Sequence, residues 1–285
     1  MNISNYIKEM RPKQWIKNSF VFPALIFSKS FTDVRKILIV LVGFFLFCLA
    51  SSSVYIVNDI IDRKKDALHP TKSKRPIAAG RIKVYKAYIF AVVMIIVAVG
   101  GAYMLSFSFM LTLLAYMIIS TSYSLWLKNQ PIIDIMTIAV GFVLRTLAGA
   151  LVIGVDASPW LLLCTSVLCL FLAANKRASE LAIMKDMAGD YKATLSIYTE
   201  EFLDKVITIC SSLCIVLYAL YCYFTHLPIM ITTIFVIYAL LRYHMVAKSE
   251  QTRDNVELIL FYDKPLLIGI LFWGVSCLLI VIKFY

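Results

Sequence analysis

Apolar residues in this chain gather into long, nearly unbroken runs separated by short polar stretches. The runs lie at 15–31, 37–57, 87–105, 107–127, 132–153, 159–174, 206–224, 227–243 and 265–282. About 20 apolar residues are needed for a helix to cross roughly 30 Å of hydrocarbon, so this pattern predicts about nine transmembrane helices. The first run is short and interrupted by Pro23, and the sixth is also short. The fold class expected is all-α: a polytopic membrane helical bundle, one domain over residues 1–285. Its polar stretches are confined to loops at 58–86, 175–205 and 242–264.

Charge then orients the runs. Lys and Arg crowd into the N-terminal segment and into the three long polar stretches. The alternate connections hold only Lys29, Arg35, Lys36 and Lys283, and Arg145 falls inside a run. Basic residues mark the cytoplasmic side. The N-terminus is therefore expected in the cytoplasm, the C-terminus outside, and every loop rich in acid and base on the cytoplasmic face of a multi-pass inner cell membrane protein. Composition agrees, because 61% of the 285 residues are hydrophobic, against about half in soluble domains. The net charge of +11 follows this topology, and no nucleic-acid partner is expected. The 7 cysteines fall almost entirely within apolar runs with no CxxC pair, which supports neither a zinc site nor a disulfide framework. The N-terminal residues lack an apolar stretch ending in a small-residue cleavage site, so no removable signal peptide is expected.

Candidate chemistry concentrates where the second run ends, at Val57-Asn58-Asp59-Ile60-Ile61-Asp62-Arg63-Lys64-Lys65-Asp66. A helix continuing through this stretch stacks Asn58, Asp62 and Asp66 on one face at i, i+4 and i+8, with Asp59 flanking them. Such an oxygen-rich stripe suits Mg²⁺, which binds through one or two carboxylates plus substrate phosphates. Lys72, Lys74, Arg75 and Arg81 come directly after it, cations suited to phosphate oxygens. A Mg²⁺–diphosphate site is the reading this spacing supports, with Asn58, Asp62 and Asp66 as ligands and Asp59 a ligand or its neighbour.

Other constellations extend that picture. Arg11-Pro12-Lys13-Gln14-Trp15-Ile16-Lys17-Asn18 is basic and amphipathic. It reads either as a membrane-surface anchor with Trp15 at headgroup level or as a place where Lys13 or Lys17 meets an anionic lipid headgroup. Asp134 and Arg145 share the fifth run, about 16 Å apart at 1.5 Å per residue. An Arg that deep marks an internal polar site, either a structural ion pair or an anion ligand, and Gly141 and Gly149 beside it permit close helix approach. Lys176, Arg177 and Glu180 form a compact charged turn after the sixth run. Asp186 and Asp190 repeat a DxxxD spacing and are candidates for a second metal. Tyr123 and Lys128 close the fourth run as interface anchors or substrate contacts.

The NDxxDxxxD helix end, the basic loop with Lys74-Arg75-Pro76 and Gly80, and Tyr123-Ser124 with Lys128 resemble the UbiA superfamily of membrane prenyltransferases over essentially the whole chain. Arg11–Asn18, the turn Asn175-Lys176-Arg177-Ala178-Ser179-Glu180-Leu181, and Arg242-Tyr243-His244 with Asp263-Lys264-Pro265-Leu266 resemble its decaprenyl-phosphate phosphoribosyltransferase branch. The segment around Asp186–Asp190 matches the second acidic motif of prenyltransferases in general as well as this branch. The resemblance implies a Mg²⁺-dependent enzyme transferring phosphoribose from phosphoribosyl diphosphate to a polyprenyl phosphate, with the lipid bilayer as partner and an oligomer compatible. Asp59, Asp62, Asp66 and Arg145 would then be the catalytic residues. Lys17, Lys72, Lys74, Arg75, Tyr123, Lys128, Lys176, Arg177 and Glu180 would bind substrate. An extra anion pocket for a 5-phosphate would come from the Lys176/Arg177 turn and the N-terminal lysines. Two readings stay open beside it: a prenyltransferase acting on an aromatic or lipid acceptor, and a transporter with Asp134 and Arg145 in its path.

Overall fold

The computed structural model describes residues 3–28, 30–68, 72–186, 197–225, 228–249 and 259–284. Helices run through them in the order α1 (Ile3–Glu9), α2 (Pro23–Phe27), α3 (Val34–Ile61), α4 (Arg63–Ala67), α5 (Val84–Leu105), α6 (Phe107–Leu125), α7 (Ile133–Val152), α8 (Pro159–Asp186), α9 (Glu200–Phe224), α10 (Thr233–Ala247), α11 (Ile259–Tyr262) and α12 (Lys264–Phe284). Eight segments among the described residues are long and apolar enough to cross a membrane: α3, α5, α6, α7, α8, α9, Pro228–Ala247 and α12. The exposed surfaces of these helices carry large apolar side chains, Leu38, Phe45, Ile96, Ile118, Leu271 and Leu279 among them, as lipid contact requires.

The first apolar run departs from expectation. It forms a 3-10 helix over Pro12–Val21 and then the short α2, so it is no span. Arg11 starts the 3-10 segment in the left-handed region, φ 53 and ψ 61, and a helix cannot be continued through such a residue. Pro23 lacks the N–H that would join the two pieces. The polar groups of the segment then turn inward. Trp15 Nε1 donates to Ser52 Oγ at 3.1 Å, Asn18 Nδ2 donates to Ser51 Oγ at 3.2 Å, and Ser52 Oγ donates to Met10 O at 2.8 Å. Trp15 thus bonds to α3 instead of anchoring at a headgroup. The run Ser51-Ser52-Ser53 explains why α3 can receive this segment: small side chains leave room, and each hydroxyl bonds to backbone or to the incoming chain.

The second departure is the sixth run, predicted to stop at 174. Its helix continues to Asp186, so the expected charged turn at Asn175–Leu181 is helical and largely buried. Carboxylates that meet the charge of Arg177 permit this.

The helices form two compact units, Met1–Trp126 with Gly141–Ala157, and Leu127–Val140 with Ser158–Tyr285; α7 is divided between them. The first unit packs α3 against α5 and α6 around Phe47, whose ring meets Phe109 edge-on at 5.7 Å and Tyr116 at 5.4 Å. A second cluster, of Ile56, Ile77, Ile82, Ala87 and Ala91, anchors the loop after α4. The other unit packs α8 and α9 around Phe171, Ala174, Ile207 and Cys210. Ser179 Oγ donates to Ala247 O at 3.0 Å there, and Trp273 Nε1 donates to the Tyr218 hydroxyl at 2.8 Å.

Gly149 is where a side chain is least tolerable: a Cβ there would stand 2.0 Å from the backbone oxygen of Val21. That oxygen cannot rotate away, so Gly149→Ala should destabilise by at least the about 1–3 kcal/mol of an overpacked core. Thermal unfolding of the purified protein in detergent reads the loss. Gly100→Ala is the control, since nothing lies within 4 Å of its Cβ, and it should unfold no earlier than wild type.

Candidate active site

The acidic helix end is built as the spacing predicts, with one change. α3 stops at Ile61 and Asp62 forms its C-cap, yet the i to i−4 ladder carries on: Asp62 N–H donates to Asn58 O at 2.9 Å, and Asp66 N–H to Asp62 O at 2.8 Å. Asn58, Asp62 and Asp66 therefore keep their helical progression into α4. Asp59 and Asp66 are buried, while Asn58 and Asp62 are half-buried.

Two guanidinium groups organise the carboxylates. Asp59 accepts from Arg11 Nη2 at both oxygens, 2.5 and 2.6 Å, and from Arg75 Nη1 at 2.8 Å. Arg75 Nη1 also donates to Asp66 Oδ2 at 2.6 Å. Arg11 lies 5.1 Å from the Tyr55 ring centre as well, and such cation–π contact adds to its hold. Arg75 is placed by the residues after it: Pro76 and Ile77 are buried, Ile77 in the hydrophobic cluster, and Gly80 at φ 71 turns the loop back towards α5. Lys72 and Lys74 occupy the 3-10 turn just before Arg75. Strain at Arg11 is the cost of this arrangement, since a non-glycine residue in the left-handed region carries roughly 1–2 kcal/mol, and such residues cluster at functional sites.

A carboxylate that the sequence did not single out joins them. Glu9, the last residue of α1, is 2% exposed, and neither of its oxygens receives a hydrogen bond from any donor. Burial above all, and then the adjacent Asp59 carboxyl, push its pKa up to about 8, against the pull of Arg11 and Arg75.

Arg145 is buried, as its depth in α7 predicts, but it pairs with no carboxylate among the described residues. Nε donates to Asn18 Oδ1, Nη1 to Gly141 O and Nη2 to the Tyr116 hydroxyl, each at 2.8 Å. Its guanidinium also lies 4.3 Å from the Tyr116 ring centre and 5.1 Å from that of Phe142. Of the two readings of a buried Arg, the structural ion pair is therefore not formed among the described residues.

In the other unit, Asp134 is fully buried and joins Arg177, which is 1% exposed. Arg177 Nε donates to Asp134 Oδ2 and Arg177 Nη1 to Glu180 Oε2. The Tyr198 hydroxyl donates to Asp134 Oδ1 and itself accepts from Ile132 N–H at 2.6 Å. Burial, followed by the Asp134 carboxylate, raises the Tyr198 pKa above its ordinary value. Ile132 sits at φ 66, an outlier for a β-branched residue, and the Tyr198 bond helps to hold it there. This network explains how α8 runs on through Asn175–Leu181: the charge of Arg177 is met by two carboxylates, one of them 43 residues away in sequence. Arg242 makes a two-pronged bond to Asp263, 3.1 and 2.8 Å, which holds that carboxyl below its usual range.

Of the remaining predicted residues, Lys17 lies on the 3-10 segment, Tyr123 near the end of α6, Lys128 in the short turn after it, and Lys176 on α8. Asp186 ends α8, but its side chain and all of Asp190 lie outside the described residues. Tyr198 and Asn18 emerge only from the structure; polar residues that close a network through partners 64 or 127 positions away leave no local spacing signal.

Among the described residues no three acidic, His or Cys side chains converge to hold a metal unaided. The donors do fit a cation that draws part of its shell from a substrate, as Mg²⁺ does: Asn58 and Asp62 are half-buried, and Asp66 uses only Oδ2 on Arg75. Asp59 fits such a role poorly, with both oxygens occupied by guanidinium groups.

Asp134→Asn should destabilise the protein by about 3 kcal/mol, because it takes from a buried cation the charge of a fully buried carboxylate. Tyr198→Phe should cost about 1 kcal/mol, a single lost hydrogen bond. Thermal unfolding of both variants and the double variant in detergent checks this; sharing Asp134 Oδ1, the two losses should fail to add.

Residues 19–264 match the model of the UbiA prenyltransferase family. The chain is 33% identical over 227 residues to decaprenyl-phosphate phosphoribosyltransferase of Mycolicibacterium smegmatis, covering 78% of this chain and 71% of that one. It is 34% identical over 219 residues to the enzyme of the same name from Corynebacterium glutamicum, covering 75% and 66%. Its fold is similar to a UbiA homolog from Archaeoglobus fulgidus bound to GPP and Mg²⁺, with a TM-score of 0.73 at 20% identity over 96% of this chain and 99% of that one. The chain belongs to the UbiA prenyltransferase family and is a multi-pass membrane transferase of that superfamily.

Proposed function

We propose that this enzyme transfers the 5-phosphoribosyl group of phosphoribosyl diphosphate to a polyprenyl phosphate and releases diphosphate, at a site facing the cytoplasm. The observation that carries this reading is the Asn58–Asp62–Asp66 progression beside Arg75, in a chain one-third identical over 227 residues to enzymes named for that chemistry. A phosphate monoester acceptor is already an anion, so no general base has to be found. One of its oxygens bonds to C1 of the ribose as the C1–oxygen bond to diphosphate breaks, and the electron pair leaves with the diphosphate.

What the protein must supply is charge and position. Asn58, Asp62 and Asp66 would hold Mg²⁺, which when bound neutralises the negative charge accumulating on departing diphosphate. Arg75, pinned between Asp59 and Asp66, presents its guanidinium beside these ligands, and Lys72 and Lys74 precede it in the same loop. Asp59 fixes Arg11 and Arg75 in place and touches substrate only through them. Arg145, without a carboxylate partner among the described residues, keeps its charge available to a phosphate. Arg177 differs: Asp134 and Glu180 neutralise it, and its part is to shape α8. Positioning two anions for attack can contribute about 7–11 kcal/mol.

The test is a detergent assay with Mg²⁺, radiolabelled phosphoribosyl diphosphate and polyprenyl phosphate. A labelled product extractable into organic solvent should form, vanish on chelation, and fall by at least about 10–100-fold in Asp62→Ala, the loss that even an outer partner of a metal ligand causes. Turnover of a prenyl diphosphate with an aromatic acceptor, and none with phosphoribosyl diphosphate, would replace this reading with the prenyl-transfer one.

A further inference from the structure

Beside the acidic helix end, within the first unit, lies a cavity of about 440 Å³ lined by Lys8, Glu9, Arg11, Lys13, Asp59 and Arg75, among others. Its volume falls in the range of small-molecule sites, roughly 300–1,000 Å³. Its charges are unevenly matched. Asp59 is taken up by Arg11 and Arg75. Lys8 and Lys13 are exposed on its rim and bring cationic charge that no carboxylate meets among the described residues. The rim therefore favours an anion. Deeper in, Glu9 is 2% exposed with both oxygens lacking a donor. A buried polar atom without a donor costs about 1–3 kcal/mol, and the Asp59 carboxyl beside Glu9 is already taken by Arg11 and Arg75, so a ligand that brings a donor relieves it. An anionic group alone does not answer, since phosphate oxygens only accept and leave at least one Glu9 oxygen without a donor. A ligand that carries hydroxyls next to its phosphate answers both needs.

We infer that this cavity binds a sugar phosphate monoester, with the phosphate on Lys8, Lys13 and Arg11 and the sugar hydroxyls donating to Glu9. The inference rests on the proposed reaction and deepens it: the cavity would take the 5-phosphate and ribose hydroxyls of the donor, apart from the Asn58–Asp62–Asp66 ligands that face its diphosphate. The same phosphate chemistry is offered by the headgroup of a polyprenyl phosphate, which has no hydroxyls for Glu9, and the experiment separates the two sources.

Ribose 5-phosphate is the probe, titrated by calorimetry into the full-length protein in detergent without acceptor or metal. It should bind, and it should bind more tightly than inorganic phosphate. Lys13→Ala, at an exposed position that leaves folding intact, should weaken ribose 5-phosphate about 10-fold, with Lys8→Ala as the second cation variant. Glu9→Ala should remove most of the preference for ribose 5-phosphate over inorganic phosphate, and its unfolding temperature is recorded alongside. In turnover, Lys13→Ala should raise KM for phosphoribosyl diphosphate and leave KM for polyprenyl phosphate unchanged. Unaltered ribose 5-phosphate binding in both lysine variants would overturn the inference. So would equal affinity of the wild type for inorganic phosphate, or a KM increase confined to polyprenyl phosphate. Binding that needs Lys13 in a protein that transfers no phosphoribose would sink the proposed reaction and keep this cavity's ligand class. Transfer that proceeds with Lys13 irrelevant would do the reverse.

Discussion

The carboxylate of Asp59 is the point on which the first unit turns. It sits one turn from the end of an apolar helix, where an unpaired charge would be expensive to bury. Arg11 arrives from the N-terminal segment and Arg75 from the loop after α4, and together they make burial tolerable. Each arginine is then fixed in turn, Arg11 by a left-handed backbone and the Tyr55 ring, Arg75 by Asp66 and the buried Ile77. Two other stretches of chain are tied to one side chain of α3, and the candidate metal ligands run from that helix into α4.

The other unit solves a similar problem differently. There a cation is buried, and Asp134, Glu180 and the Tyr198 hydroxyl gather round it. Both networks obey the same rule: charge inside an apolar bundle is kept only with several partners, and those partners come from distant sequence. Arg145 is the exception, bonded to an amide, a carbonyl and a phenol, with two aromatic faces against its guanidinium. Neutral groups spread its charge without cancelling it.

Much of this was legible in the chain itself. Eight of the apolar runs are long helices because twenty apolar residues in a row leave the backbone little alternative, and the 58–66 stretch keeps its helical progression. The run at 15–31 deceived because its apolar residues conceal Asn18, whose worth is set by Arg145, and because Arg11 takes a backbone conformation that no spacing foretells. The end of α8 was misplaced for the complementary reason: Lys176, Arg177 and Glu180 look like a solvated turn until Asp134 is known to reach Arg177. Trp15 looked like a headgroup anchor until Ser52 supplied an acceptor within the protein. A lone acid such as Glu9, two residues before an arginine in a basic amphipathic segment, reads as an ordinary surface charge; its burial against Asp59 is a tertiary fact. The triple serine in an otherwise apolar span was the one visible sign that something polar docks there.

The docking of the N-terminal segment also sets an order of events during synthesis. Residues 12–27 are made before α3 and form no helix long enough to span, yet Asn18 bonds to Arg145, 127 positions later, and Val21 rests against Gly149. At about 5–20 residues per second, the ribosome needs on the order of ten seconds to supply those partners. This segment must wait while α3, α5 and α6 are made, and its contacts close only when α7 arrives.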